Sequence, residues 1–276
     1  MSNDHTGIGI GFIGGGNMAQ AIIRGLLSAG HPARKISVAD PASGPQEIVA
    51  AIDTAITLTT DNTLLAESCD VLVLAVKPQI MAAVAKPLSQ ADRPANQIVV
   101  SVAAGITLES MQSWFGADTA LIRVMPNQPA LIGEGMSGLC ANPNVSEAGK
   151  ELATYVMEAT GKVLWFDDEQ QIDAVTAISG SGPAYFYLVM EIMQQVAEEL
   201  GLDAETARTL CTQTALGAGR LAAISGEDLS ELRERVTSPG GTTAAALQIL
   251  EQSGIRDMFR TALQAARDRS VELGQI

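Results

Sequence analysis

The 276-residue sequence is short of positive charge and of long apolar runs. It carries 17 lysines and arginines against 31 aspartates and glutamates, a formal net charge of -14. This balance argues against nucleic acid as a partner, because binding it needs concentrated positive charge. No run approaches the roughly 20 apolar residues that span a bilayer, so no membrane partner is predicted. The first residues lack the basic start and apolar core of a signal peptide, and we expect a cytoplasmic protein.

Histidine and cysteine are also scarce. The two histidines are His5 and His31, and the three cysteines, Cys69, Cys140 and Cys211, lie far apart among apolar or small residues. This pattern predicts reduced thiols, with neither a disulfide framework nor a metal site. We expect neither histidine to be a catalytic group.

The sequence does contain two kinds of segment, continuous apolar runs in its first part and helix-like stretches in its last part. Apolar runs at residues 71–76 and 98–102 are continuous, which is typical of strands buried on both faces of a parallel sheet. From about residue 169, helix-like stretches follow, at 170–201, 203–225, 230–236, 239–252 and 255–273. We predict an α/β fold, with a Rossmann-type doubly wound parallel sheet in residues 1–165 and an all-helical dimerisation domain in residues 166–276.

A proline and small residues interrupt the first helical stretch. Pro183 should break it, because proline lacks the N–H and clashes with the preceding turn. The small residues at 179–182 either let a cofactor approach or form a packing notch between helices.

A glycine pattern near the start indicates a dinucleotide site. Gly14, Gly16 and Ala19 form G-x-G-x-x-A between a predicted strand and a predicted helix. Gly14 allows the tight turn, and Gly16 lets the backbone approach a pyrophosphate. The N–H groups at the start of the helix would then bind the phosphates.

Residues at the ends of later strands bear on the cofactor. Asp40 ends the second predicted strand, where a carboxylate binds the ribose hydroxyls of NAD and repels the 2′-phosphate of NADP. Arg34 and Lys35 could offset that charge, so the choice between NADPH and NADH stays open. Lys77 ends another strand, where it either reaches a ligand or is solvated. Asn127 follows a further strand, either to contact a ligand or to form a turn.

A late segment, SPGGTT at residues 238–243, predicts an anion pocket at the start of a helix. Ser238 is a favoured N-cap, and Pro239 is preorganised for the first helical position. Two glycines in a first turn destabilise a helix by about 1 kcal/mol each. That cost is explained if a carboxylate must come close to the backbone at Gly240 and Gly241.

These motifs resemble the pyrroline-5-carboxylate reductase family, in order and over nearly the whole chain. The matching segments are GFIGGGNMA at 11–19, AVKPQ at 75–79, SVAAG at 101–105, MPN at 125–127, SGSGPAY at 179–185 and VTSPGGTT at 236–243. The last two are specific to the family, whereas the first is shared with many dehydrogenases. One departure is Gln128, where the family usually has threonine.

The resemblance implies an NADPH- or NADH-dependent oxidoreductase that reduces the cyclic imine of L-1-pyrroline-5-carboxylate to L-proline, the last step of proline biosynthesis. It implies a homodimer, which in this family often assembles further into a decamer, with the substrate held by residues of the partner subunit. Cofactor contacts are then expected from Ile13, Gly14, Gly15, Gly16, Asn17, Met18, Asp40, Asn62, Ala75, Val76, Lys77, Pro78, Ala103 and Ala104. Substrate contacts are expected from Ser238, Gly241, Thr242, Thr243 and Glu227. Thr243 is the candidate catalytic residue, through a hydrogen bond to the ring nitrogen.

Two other functions fit part of the sequence. A β-hydroxyacid dehydrogenase shares the architecture, but its chemistry needs a lysine base on the first long helix of the second domain. Residues 174–200 contain no lysine, which counts against it. A non-catalytic regulator could use the same fold to sense the redox state of the nicotinamide pool, but it would leave the intact segment 238–243 unexplained.

Overall fold

A computed structural model describes residues 5–274, so Met1 to Asp4, part of the start considered for a signal peptide, lie outside it. The chain divides into two compact units, one with the residues through Ser181 and those from Ala266 onward, the other Gly182–Ala265. This division falls later in the chain than the predicted boundary at residue 165, and the C-terminal segment returns to the first unit. None of the helices in residues 5–274 is both long and apolar enough to cross a membrane.

The first unit is built around one eight-stranded sheet. Its strands are β1 (Ile10–Ile13), β2 (Ile36–Ala39), β3 (Thr57–Thr59), β4 (Val71–Leu74), β5 (Ile98–Ser101), β6 (Ala120–Met125), β7 (Gly135–Ala141) and β8 (Gly161–Trp165). The strand order is β3-β2-β1-β4-β5-β6-β7-β8. Neighbours are parallel except for the antiparallel pair β6 and β7. This mostly parallel, doubly wound sheet confirms the predicted fold class.

Helices cover both faces of the sheet. They are α1 (Asn17–Ser28), α2 (Ser43–Ile52), α3 (Asn62–Glu67), α4 (Pro78–Ala85), α5 (Leu108–Phe115), α6 (Glu147–Glu158) and α7 (Gln171–Val175). In β4, Val71 and Val73 belong to an apolar cluster that includes Ile22 of α1. Leu72 and Leu74 belong to a second cluster that includes Met111 of α5. Burial on both sides explains why the run is apolar at every position.

The order of the strands reverses at β1, which lies between β2 and β4. In open parallel sheets, ligands bind at this point, outside the carboxyl ends of the strands. The connections that leave β1, β2, β4 and β5 all start at that edge, because these strands are parallel.

The second unit is helical, as predicted. Its helices are α8 (Gly182–Glu199), α9 (Ala204–Ser225), α10 (Leu229–Arg235), α11 (Thr242–Gln252) and the first part of α12 (Ile255–Leu273). A π-helical turn at Thr176–Gly180 separates α7 from α8, whose second residue is Pro183. The interruption predicted from Pro183 is thus confirmed. In this unit α8 packs on α9.

Candidate active site

The turn between β1 and α1 is made by glycines. Gly14 has a φ of +96°, and a Cβ at this position would lie 2.9 Å from the backbone oxygen of Ala75. Glycine is therefore required there. Gly16 differs, because its φ is −72° and a Cβ on it would meet no described atom within 4 Å. Packing within the described chain does not explain this second glycine, and the space beside it is open to a group from outside.

The first turn of α1 offers unpaired donors at that place. Its N-cap, Gly16, has no side chain that could cap the helix, and the hydrogen bond from Gln20 N–H to Gly16 O, at 3.0 Å, is the first of the helix. The N–H groups of Asn17, Met18 and Ala19 therefore have no partner within the helix. Together with the positive end of the helix dipole, they suit the phosphates of a dinucleotide. The predicted strand–turn–helix context of the glycine pattern is confirmed.

Asp40 directly follows β2 and is tied to the glycine turn. Its Oδ2 accepts from Gly15 N–H at 2.8 Å, and its Oδ1 accepts from Ala42 N–H at 2.9 Å. Lys35 and Arg34 precede the opposite end of β2, about 16 Å of extended chain from Asp40. The expectation that these two cations offset the charge of Asp40 is therefore wrong.

The other predicted cofactor residues lie along the same edge of the sheet. Ala75 N–H donates to Ile13 O at 2.8 Å, which continues the pairing of β4 with β1. The exposed Lys77 is the N-cap of α4, and Pro78 is its first residue. Asn62 is the first residue of α3, which follows β3.

The connection after β5 completes this edge. Ala103 is buried there, whereas Ala104 is exposed. The structure thus brings together all of the predicted cofactor residues in the first unit, namely Ile13, Gly14, Gly15, Gly16, Asn17, Met18, Asp40, Asn62, Ala75, Val76, Lys77, Pro78, Ala103 and Ala104.

The predicted substrate residues lie in the second unit, and their segment begins with a turn. Gly241 N–H donates to Ser238 O at 3.0 Å, and Gly240 has a φ of +71°. Pro239 in second place and a left-handed glycine in third place are typical of a type II β-turn. The helix begins only at Thr242, with Gly241 as its N-cap. The prediction that Ser238 and Pro239 start the helix is therefore wrong.

The start of α11 still presents unpaired donors. Its first hydrogen bond runs from Ala245 N–H to Gly241 O at 3.2 Å. The N–H groups of Thr242, Thr243 and Ala244 therefore have no partner within the helix. The N–H of Gly241 is used by the turn, which corrects the expectation that it would bind a carboxylate. Ala244 was not among the predicted substrate residues. The only signal for its N–H donor is its position, three residues after the N-cap Gly241.

Glu227, also a predicted substrate residue, is engaged within the second unit. Its carboxylate forms an ion pair with Arg235, the last residue of α10. The pair ties the connection between α9 and α10 to the chain that leads into the turn at Ser238.

Two residues considered for ligand contacts have internal roles. Asn127 Nδ2 donates to Ser179 O at 3.0 Å, and its Oδ1 accepts from Met136 N–H at 2.9 Å. Gly180 lies directly against the side chain of Met125, where a Cβ would clash. Gly180 thus packs closely against the end of the strand β6, and not against another helix, whereas a Cβ on Gly182 would meet no described atom within 4 Å.

A buried ion network was not predicted from the sequence. Arg123 is 4% exposed and pairs with Glu169 at 3.0 Å and Asp173 at 3.1 Å. Ser270 donates to Asp173 at 2.8 Å, and Glu169 accepts from Leu108 N–H at 2.8 Å. The signal in the sequence was an arginine inside an otherwise apolar strand, because a buried charge must be paired.

The thiols and the buried histidine are poorly suited to catalysis. Burial raises the pKa of the Cys69 thiol to about 12 and also raises the pKa of Cys140, so both are protonated at neutral pH. Burial, and after it the charge of Lys35, lowers the pKa of His31. Residues 5–274 contain no group of three or more histidines, cysteines, aspartates or glutamates that could hold a metal ion.

Two known families match parts of the chain. The model described as pyrroline-5-carboxylate reductase dimerisation matches residues 169–273. The model described as NADP oxidoreductase coenzyme F420-dependent matches residues 9–105. The first match includes the turn at Ser238 and the start of α11, and the second includes the glycine turn and Asp40.

Full-length relatives agree with these matches. The chain is 47% identical to the pyrroline-5-carboxylate reductase of Pseudomonas aeruginosa, over 96% of this chain and 97% of the relative. It is 45% identical to that of Haemophilus influenzae over the same shares. Its fold is similar to the Coxiella burnetii pyrroline-5-carboxylate reductase, with a TM-score of 0.91 and 40% identity over 96% of this chain and 98% of that one. The fold is also similar to a Plasmodium falciparum pyrroline carboxylate reductase with NADP bound, with a TM-score of 0.85 and 29% identity over 97% of this chain and 98% of that one.

Proposed function

This chain belongs to the pyrroline-5-carboxylate reductase family, and we propose that it transfers a hydride from NADPH or NADH to the C=N bond of L-1-pyrroline-5-carboxylate, giving L-proline. The observation that carries the proposal is similarity over nearly the full chain, at 44% to 47% identity, to reductases of that name. The reaction accounts for both helix starts described above, one suited to phosphates and the other to a carboxylate.

The first unit fits the cofactor. The N–H groups of Asn17, Met18 and Ala19 would bind the pyrophosphate beside the open backbone of Gly16. Asp40 would meet the adenosine ribose, and the small side chains of residues 103 and 104 leave room for the nicotinamide. When bound, the reduced nicotinamide supplies the hydride that the imine carbon accepts.

The start of α11 holds the substrate carboxylate in this proposal. The N–H groups of Thr242, Thr243 and Ala244 donate to its oxygens, and the exposed hydroxyl of Ser238 adds a fourth donor. Hydrogen bonds to a carboxylate are about twice as strong as neutral ones, so no arginine is required. Glu227 supports the site indirectly, by holding Arg235 next to the turn.

Thr243 acts on the ring nitrogen. A protonated cyclic imine is already a good electrophile, so the site needs no strong base. The Thr243 hydroxyl hydrogen-bonds the nitrogen and orients the ring, while the proton itself arrives with the substrate or from water, because a threonine hydroxyl is a weak acid. Most of the acceleration then comes from holding the imine in near-attack geometry.

A Thr243→Val substitution tests this role, because it removes the hydroxyl and keeps the shape. We expect kcat to fall about 100-fold, with the Kd for reduced cofactor unchanged. Thr212→Val in α9 is the matched control, since the Thr212 hydroxyl donates only to backbone oxygens of its own helix. A Thr243→Val enzyme with wild-type kcat would remove Thr243 from the mechanism.

The assembly and location follow the same reasoning. The match of residues 169–273 to a dimerisation family supports a homo-oligomer. We propose a homodimer that assembles into a decamer, with residues 238–243 supplied to the cofactor of the partner subunit. The three cysteines are free and buried, which supports a reducing, cytoplasmic location.

A further inference from the structure

We propose that Asp40 makes this chain select the cofactor without a 2′-phosphate, so that NADH binds more tightly than NADPH. The inference rests on the proposed function, because it concerns the cofactor of that reaction. The two cofactors differ only in the group on the 2′-oxygen of the adenosine ribose. Selection therefore depends on what the protein presents to that oxygen.

The carboxylate of Asp40 is held in one orientation. It accepts from Gly15 N–H at 2.8 Å through Oδ2 and from Ala42 N–H at 2.9 Å through Oδ1. The backbone behind it is fixed as well, since Gln46 Nε2 donates to both Asp40 O at 2.6 Å and Thr59 O at 3.1 Å. A rotation of the carboxylate away from the ribose would leave two backbone donors without partners, which is unfavourable.

The fixed carboxylate can still accept hydrogen bonds from a ribose. Its two oxygens offer about four acceptor positions, of which the two amides use two. Hydroxyl groups of a ribose can donate to the others. Asp40 also follows the second strand of a doubly wound sheet, next to the glycine turn, where such folds hold the adenosine ribose. A Cβ on Gly15 would lie 3.7 Å from Asp40 Oδ2, so the turn and the carboxylate are in direct contact.

No cation in the surrounding segments balances this charge. Residues 14–18, 40–46 and 59–62 contain no lysine or arginine, and the last segment adds Asp61. Lys35 lies beyond the other end of β2, where its charge acts on His31. A 2′-phosphate would therefore face a carboxylate without a compensating charge from these segments.

The start of α2 is a weak substitute for a cation. The N–H of Ala42, its N-cap, already donates to Asp40. Pro45, the third residue of the helix, has no N–H to offer. A phosphate there would find fewer free donors than at the start of α1.

Binding measurements without substrate test the proposal. The Kd values for NADH and NADPH are measured by calorimetric titration of the wild-type protein. We expect NADH to bind at least about tenfold more tightly, because like charges placed side by side are strongly unfavourable. Asp40→Ser, which removes the charge, should shift the ratio of the two Kd values toward NADPH by at least about tenfold. Asp53→Ser is the matched control, because Asp53 lies at the opposite end of α2, and we expect it to leave the ratio unchanged.

Each other outcome decides against the proposal or against the function, and the two are distinguishable. Equal or tighter binding of NADPH by the wild type overturns the role of Asp40, as does an Asp40→Ser protein with the wild-type ratio. If Asp40→Ser does not fold by circular dichroism, the wild-type ratio and the isosteric Asp40→Asn variant decide. Turnover of pyrroline-5-carboxylate with either cofactor is recorded in parallel. Turnover together with tighter binding of NADPH contradicts only the proposal, whereas selective binding of NADH with no turnover contradicts only the reductase function.

Discussion

At the scale of single residues, the proposed substrate site consists mainly of backbone donors rather than charged side chains. Thr242 offers a test, because it is the first residue of α11 and proline is well tolerated at that position. Gly241 before it is extended, with φ −82° and ψ 173°, as a residue before proline prefers. Thr242→Pro therefore removes one N–H and keeps the helix.

We expect Thr242→Pro to raise the KM for pyrroline-5-carboxylate about 30-fold. A hydrogen bond to a charged group is worth about 2 kcal/mol, which corresponds to that factor. Thr242→Ala is the control, since it removes the hydroxyl but keeps the N–H, and its KM should rise less than about threefold. Steady-state kinetics with saturating cofactor give both values. If the two variants have the same KM, the carboxylate is not held by this amide.

At the scale of secondary-structure elements, the buried network of Arg123 joins β6, the helix α7 with the segment before it, and the last turn of α12. Replacing Arg123 by Met leaves Glu169 and Asp173 without their cation. Breaking a buried ion pair in this way costs about 3–5 kcal/mol, and we expect the free energy of unfolding in urea to fall by that amount.

The control for Arg123→Met is a surface ion pair. Lys150 pairs with Glu147 at 2.9 Å in α6, but the Glu147 side chain is 85% exposed. Pairs of this kind contribute about 0–1 kcal/mol, so Lys150→Met should leave the free energy of unfolding nearly unchanged. Equal effects of the two substitutions would show that the buried network does not stabilise the first unit.

The strands also show how much of the fold could be predicted from the sequence. Runs rich in β-branched and apolar residues predicted β1, β2, β4 and β5, because strands buried on both faces must be apolar at every position. The strand β7, with the sequence GMSGLCA, has no β-branched residue and was not predicted. The strand β7 is stabilised instead by its antiparallel pairing with β6 and its parallel pairing with β8, which its local sequence does not reveal.

The start of α11 was misjudged for a different reason. A serine followed by proline fits the beginning of a helix, but proline followed by glycine equally fits a type II turn. The left-handed φ of Gly240 decides between them. Local sequence cannot make that choice, whereas the glycine turn at Gly14 was predictable because its strand and helix could both be identified.

At the scale of the whole molecule, the second unit leaves large apolar side chains exposed in a single chain. Phe186 of α8 is 70% exposed, and Leu216 and Ile224 of α9 are 62% and 75% exposed. Soluble monomers rarely expose contiguous apolar surface, and residues 169–273 match a dimerisation family. These side chains are expected to be covered by another subunit.

Light scattering coupled to size exclusion tests this expectation. The wild type should have at least twice the mass of one chain, and Phe186→Glu should lower that mass and the reductase activity together. Ile48→Glu is the control, because Ile48 is an exposed side chain on α2 of the first unit, and it should leave the mass unchanged. A wild-type protein with the mass of one chain would contradict the oligomer.

The reductase function is tested most directly by a single reaction, L-1-pyrroline-5-carboxylate with reduced cofactor and the purified protein. We expect loss of the cofactor's absorbance with the appearance of one L-proline for each cofactor oxidised. Following the reaction with NADH and with NADPH side by side also shows which of the two cofactors the enzyme uses, and so bears on the role of Asp40. If the protein is folded and binds the cofactor, yet oxidises neither NADH nor NADPH with this imine, the reductase function is contradicted and a regulator that only senses the cofactor is favoured.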